Sequence, residues 1–115
     1  MIDLSIIIVS YNTKDFLIKC LQSIAETAKD FTYEIIVVDN ASSDGSQDLI
    51  KAKFKKVILI ANKENLGFSK ANNVGIKKAN GRFVLFLNAD TVVYETTLKT
   101  MIDFMDKNKD AGAAT

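Results

Sequence analysis

The sequence predicts an α/β domain on a mostly parallel sheet with helices on both faces, and three observations carry that prediction. Four short runs, "LSIIIVSYN", "YEIIVVDN", "KVILIAN" and "RFVLFLNAD", alternate with four stretches of helical character. The runs are apolar almost continuously instead of at every second residue, as strands covered on both sides must be. Each run also ends in a cluster of Asn, Asp, Ser or Gly. Right-handed crossovers place all such strand ends on one edge, where open parallel sheets bind their ligands.

Each element has its own warrant. Leu4 to Asn12 is β-branched and closes on polar residues, so it reads as a buried strand and the loop after it. From Lys14 to about Ala28, Phe16, Leu17, Cys20, Leu21, Ile24 and Ala28 recur at helical spacing. The second strand "YEIIVVDN" leads into "SSDGSQDLIKAKF", whose Ser/Asp start resembles a helix cap. After the third strand, "GFSKANNVGIKKANG" reads as a helix stopped by Asn80-Gly81. The fourth strand is followed by the helix "ETTLKTMIDFMDKNKD", and "AGAAT" reads as the opening of a further strand. With no proline, no repeat and no low-complexity linker, residues 1–115 are expected to form one domain.

Composition removes several classes of function. At 48% hydrophobic and 25% charged residues the balance is that of an ordinary globular domain, and a net charge of +1 gives no bulk attraction to nucleic acid, so no nucleic-acid partner is expected. The chain has no histidine, which excludes His-based triads, His-liganded zinc and an imidazole base. Its one cysteine, Cys20, cannot form an internal disulfide and falls on the apolar face of the first helix, as a small core residue would. "KAKFKK", Lys51 to Lys56, reads as the solvated end of a helix. No apolar run approaches the roughly 18 residues of a membrane span, and Met1-Ile2-Asp3 leads straight into a strand, so a cytoplasmic location is expected.

The candidate site is the set of residues just past the strands: Ser10-Tyr11-Asn12, Asp39 to Gly45, Asn62 to Gly67, and Asn88-Ala89-Asp90. Any one cluster is ordinary turn chemistry, but four on one edge point to a binding cleft. No G-x-G-x-x-G follows the first strand and no G-x-x-x-x-G-K-[ST] occurs, so phosphates bound here need a cation to neutralise them. Asp90, ending the buried run "VLFLNAD", is the best-placed oxygen ligand for Mg²⁺ or Mn²⁺, which take one or two carboxylates together with substrate phosphates. The competing role for Asp90 or Thr91 is to cap the next helix.

"SIIIVSYN", "EIIVVDNASSDGS" and "NLGFSKANNVGIKKANGRFVLFLNADT" together resemble the amino-terminal half of a family 2 glycosyltransferase of the GT-A fold, closest to its rhamnosyltransferase-like branch. The resemblance covers almost the whole chain, in order and spacing. It implies a Rossmann-like nucleotide-diphospho-sugar transferase fold, transfer from a UDP- or dTDP-type donor with inversion, and Mg²⁺ or Mn²⁺ as cofactor. It also implies a glycan or lipid-linked acceptor, reached at the inner face of the membrane if lipid-linked. By the same resemblance, Ser10, Tyr11 and Asn12 flank the nucleobase, Tyr11 stacking on a pyrimidine, and Asp39 accepts the base N3–H. Asn40 and Ser42 share that loop, while Asp44 is expected to cap the following helix. Gly67 and Lys70 line the far side of the nucleotide, and Asn72 or Asn73 packs internally. Asn88-Ala89-Asp90 occupies the D-x-D motif, its last acid reaching the metal. Asn88 replaces the first acid, so the motif brings one negative charge and weaker metal binding is expected.

An inverting transfer needs a carboxylate base on the acceptor side, which in the family lies carboxyl-terminal to everything present here. Glu95 and Asp103, on or near the fourth helix, are poor substitutes. The expectation is therefore a donor-binding part of a longer enzyme, inactive in transfer alone and open to self-association through an uncovered strand edge. The alternative from another class is a non-catalytic nucleotide-binding or receiver-like signalling module. A receiver wants an acidic pair after its first strand, where this chain has Ser10-Tyr11-Asn12. A nucleotidyltransferase would want a glycine- and basic-rich loop there, which "SYNTKDF" lacks.

Overall fold

The computed structural model describes residues 1–114. Its elements alternate as β1 (Ile2–Ser10), α1 (Lys14–Thr27), β2 (Tyr33–Asp39), α2 (Ser46–Lys53), β3 (Ile58–Ala61), α3 (Phe68–Ile76), β4 (Gly81–Asn88) and α4 (Thr97–Lys107). The four strands are all parallel, in the order β3-β2-β1-β4. From β1 to β3 the chain steps one way across the sheet, so right-handed crossovers put α1 and α2 on the same face. The return from β3 to β4 runs the other way and carries α3 to the opposite face.

Two cores follow from that winding. The larger joins Leu4, Ile6 and Ile8 of β1 and Ile35 and Val37 of β2 to Leu17, Cys20, Leu21 and Ile24 of α1, Ile50 of α2, and Leu98 and Ile102 of α4. The smaller holds Ile7, Ile36 and Val38 against Ala71, with Val9, Ile60 and Val74 around them. In α3, Gly75 permits this close approach: a Cβ there would stand 2.6 Å from Ile7 Cγ2 and 3.3 Å from Val38 Cγ2. Gly81 has a similar reason, since its Cβ would meet the Ser5 backbone nitrogen at 2.6 Å.

Three expectations about the elements need correction. The third helix ends at Ile76, and Asn80-Gly81 does not cap it; the turn closes with Lys78 N–H on Gly75 O and Ala79 N–H on Ile76 O. Gly81 is instead the first residue of β4, placed by its amide donating to Ser5 Oγ at 2.7 Å. Strand β4 is not covered on both faces. The short α3 packs over β1 and β2 and does not reach it, leaving Val84 and Phe86 40% and 48% exposed. Residues 111–114 form no strand, and Thr115, the last residue of the expected one, lies outside the described residues. No helix among the described residues is long and apolar enough to cross a membrane.

Candidate functional site at the carboxyl edge of the sheet

Register aligns the strand ends. Ala61 lies beside Asp39, Asp39 beside Ser10, and Asn88 beside Val9. At the usual interstrand spacing, Asp39 and Asn88 stand about 10 Å apart with β1 between them. The predicted residues therefore do converge on one edge, at the point where the winding reverses between β1 and β4.

The first two loops are laced together. Asn12 adopts the left-handed conformation (φ 51°), donates its amide to Ser42 Oγ at 2.9 Å, and accepts the Ser43 amide on Oδ1 at 2.8 Å. Ser10 is buried, and its hydroxyl pairs with Thr13 Oγ1 at 2.9 Å. Tyr11 stands between these anchored neighbours and is 49% exposed. The N-cap of α2 is Gly45, not Asp44; from the preceding position Asp44 accepts Ser46 N–H at 3.1 Å and the Ser46 hydroxyl, and it also accepts the Lys14 amide of α1 at 2.9 Å. One carboxylate thus serves two helix N-termini, a favourable place for negative charge. Burial pushes its pKa up, but the Ser46 hydroxyl and the Lys14 and Ser46 amides outweigh that and hold it below the usual carboxylate range.

Asp39 is fully buried. Its Oδ2 accepts the Ser42 amide at 2.8 Å and Gln47 Nε2 at 2.7 Å, and its Oδ1 accepts the Ser42 hydroxyl at 2.7 Å. A carboxylate has about four acceptor positions, so one remains, on Oδ1. Gln47 was invisible to sequence reasoning; it is the second residue of α2, where nothing in the pattern marks it. Asn40, 2% exposed, points to the third loop: its Nδ2 donates to Gly67 O at 3.3 Å, and its Oδ1 accepts from Asn62 Nδ2 at 2.9 Å and from the Leu66 amide at 3.4 Å. Gly67 has a φ of 81°, a conformation that suits glycine, and opens α3, while Lys70 is exposed on its first turn. Asn72 is buried and Asn73 exposed.

At the end of β4, Thr91 N–H closes a tight turn on Asn88 O at 3.0 Å. Helix α4 begins only at Thr97, so neither Asp90 nor Thr91 is its cap. Asn88 and Asp90 are exposed, Ala89 is buried, and Asp90 has no hydrogen-bond or ion-pair partner among the described residues. Beneath it lies Cys20, whose thiol is pushed up to about 11, first by burial and then by the Asp90 charge. No group of three potential metal-ligating side chains occurs among the described residues. Asp90 suits Mg²⁺ or Mn²⁺ as a single protein carboxylate, with water and ligand oxygens supplying the remaining positions. Of the later acids, Glu95 is exposed ahead of α4, Asp103 pairs with Lys99 at 2.6 Å, and Asp106 pairs with Arg82 at 2.9 Å.

Comparison with known proteins gives the site its context. The family model described as "Glycosyl transferase family 2" matches residues 5–115. The minor teichoic acid biosynthesis protein GgaB of Bacillus subtilis is 34% identical over 111 residues, covering 93% of this chain and 12% of its own length. The Escherichia coli protein named UDP-Glc:alpha-D-GlcNAc-diphosphoundecaprenol beta-1,3-glucosyltransferase WfaP is 36% identical, covering 91% of this chain and 42% of its own. The crystal structure of Staphylococcus aureus TarS 1-349 in complex with UDP-GlcNAc superposes with a TM-score of 0.80 at 31% identity, over 94% of this chain and 32% of that one. The chain therefore spans less than half the length of each of these relatives, and its sheet and helices are those of the GT-A fold.

Proposed function

We propose, from the premise that this chain belongs to glycosyl transferase family 2, that it supplies the nucleotide-sugar site of a metal-assisted, inverting glycosyltransferase using a UDP- or dTDP-type donor. The observation that carries this reading is Asp90: an exposed carboxylate with no partner among the described residues, two residues past the end of β4 at the edge that contains Ser10 and Asp39. The UDP-linked donors in the names of WfaP and of the TarS complex favour the uracil end of that range.

In this reading the nucleotide lies across the edge from β2 toward β4. Tyr11 offers its ring to the base, and Asp39 receives the base N3–H at its remaining Oδ1 position once the Ala41-Ser42 segment yields. Ser10, Asn12 and Ser42 shape that end of the cleft. Gly67 and the Lys70 ammonium face the sugar-phosphate side, and Asn88-Ala89-Asp90 takes the diphosphate end, with Asp90 holding Mg²⁺ or Mn²⁺ and Asn88 offering an amide to a hydroxyl or a water. When bound, the cation stabilises negative charge on the diphosphate leaving group. The acceptor, a glycan or a lipid-linked sugar, engages residues of the whole enzyme outside this domain; of the acids here, Asp103 lies on α4 paired with Lys99, and Glu95 stands exposed ahead of that helix. Residues 1–115 act in this proposal as one donor-binding domain in the cytoplasm, transferring nothing alone.

Equilibrium titration with UDP, dTDP, CDP and GDP in Mn²⁺ tests the reading. UDP or dTDP should bind at least tenfold more tightly than CDP or GDP, the margin of one charge-assisted hydrogen bond. Equal affinity for all four would overturn it.

A further inference from the structure

Asn40 joins the loop after β2 to the loop after β3 through its side chain. It is 2% exposed, yet all of its hydrogen bonds leave its own loop: to Gly67 O, from Asn62 Nδ2 and from the Leu66 amide. Its backbone is fixed separately, by its amide donating to Ser10 O at 2.9 Å, and the Asn62 amide donates to Asp39 O at 2.8 Å. The side chain therefore acts as a donor on one side and a double acceptor on the other, a pattern that an amide satisfies and a carboxylate cannot. Gly67 is where this contact matters. It precedes α3, and its orientation decides where the first turn of that helix and Lys70 stand.

We propose that Asn40 is a positioning residue and does not itself touch the nucleotide: it locks the Asn62–Gly67 loop against β2 and so sets the placement of Gly67 and Lys70 on the donor. The donor part of this inference rests on the function proposed above; the loop-locking part stands on the geometry alone.

Replacing the amide by a titratable isostere separates the two. In Asn40→Asp, the protonated carboxyl can still donate to Gly67 O and accept from Asn62 and Leu66, whereas the ionised form sets a negative oxygen against the Gly67 carbonyl. The immediate partners of the amide are all neutral; the charged residues on the flanking segments are Asp39, Asp44, Lys63, Glu64 and Lys70. Burial without a bonded cation raises the pKa of the new carboxyl, so the lock should hold at low pH and open as pH rises through that value.

The experiment follows the Leu66 and Gly67 amide resonances of Asn40→Asp and wild type across pH, together with UDP affinity in Mn²⁺ at each pH. The expected result is a titration of both amides in the variant alone, with the variant-to-wild-type affinity ratio falling from near one to roughly a tenth as the carboxyl ionises, the worth of one hydrogen bond. Asn40→Ala should exchange its Leu66 amide faster than wild type, with Ile7 and Ile36 unchanged, and bind UDP weakly at every pH. Unresponsive Leu66 and Gly67 amides overturn the lock whether or not UDP binds. Responsive amides with an unchanged affinity ratio overturn the positioning role. Wild type that binds no UDP removes the donor part together with the proposed function, and the amide titration still decides the lock.

Discussion

Asp39→Asn should separate folding from recognition. In the wild type the carboxylate holds two N–H donors on Oδ2 and the Ser42 hydroxyl on Oδ1. An asparagine can keep both N–H donors on its oxygen and turn its NH2 toward Ser42 Oγ, which then accepts instead of donating. All three bonds lose their charge assistance, worth about 1 kcal/mol each as the difference between charged and neutral hydrogen bonds, and the part-buried Ser42 hydroxyl must turn its proton to water. Relief from burying a charge offsets part of this, so the expected loss of stability is about 1–2 kcal/mol. Recognition should suffer more. The position left for a base N–H would carry an NH2, placing donor against donor, and UDP affinity should fall by roughly 10- to 150-fold, or 1.5–3 kcal/mol. Asp39→Ala differs in kind, because it strands the Ser42 amide and Gln47 Nε2 and should cost about 2–5 kcal/mol of stability. Urea denaturation followed by circular dichroism measures the first quantity, and calorimetric titration with UDP the second. A folded Asp39→Asn protein binding UDP as wild type does would refute the assignment of Asp39 to the base.

Three further outcomes follow from local geometry. Gly75→Ala should destabilise the domain by up to about 2 kcal/mol in urea denaturation, since overpacking against Ile7 Cγ2 at 2.6 Å exceeds the roughly 1 kcal/mol gained in helix propensity. The Cys20 thiol, raised to about 11, favours the folded state fully below its unfolded pKa near 9 and loses that contribution as pH rises through 11. Thiolate absorbance should therefore titrate near 11 in metal-free protein and lower in Asp90→Asn; an unchanged midpoint would separate Asp90 from Cys20. The depressed Asp44 carboxyl contributes stability that is present above about pH 4 and lost as pH falls through its folded pKa, so Asp44→Asn should cost about 1 kcal/mol at pH 7 and flatten the acid limb of stability against pH.

Much of this architecture was legible because its signals are local. The runs from Leu4, Tyr33 and Arg82 are apolar enough to be strands, and Phe16 to Ile24 repeats as a helix does, so element order and the parallel sheet followed from pattern alone. The membership of family 2 and the GT-A fold were legible in the motifs at the strand ends. What escaped was set by distant partners. Gly81 looked like a helix stop because Asn-Gly usually is one; its conformation answers to Ser5, at the other end of the chain. The exposed face of β4 could not be read from "VLFL", since an apolar strand does not state how far a helix on another segment reaches. At the site, the convergence of Ser10, Asp39 and Asn88 follows from register, but the closure of Asp39 depends on Gln47, and the bridging roles of Asn40 and Asp44 depend on loops that sequence spacing does not bring together.

In the proposed function Asp90 holds the cation against a bound nucleoside diphosphate. The most direct measurement is calorimetric titration of UDP into wild type and Asp90→Ala, each in Mn²⁺ and in EDTA. Since Asp90 is exposed and has no partner among the described residues, the variant should fold with wild-type stability. The wild type should bind UDP at least tenfold more tightly with Mn²⁺ than without it, as one charge-assisted contact provides, and Asp90→Ala should bind it equally weakly in both. A wild type indifferent to Mn²⁺, or an Asp90→Ala variant that keeps the full metal-dependent gain, would contradict the account.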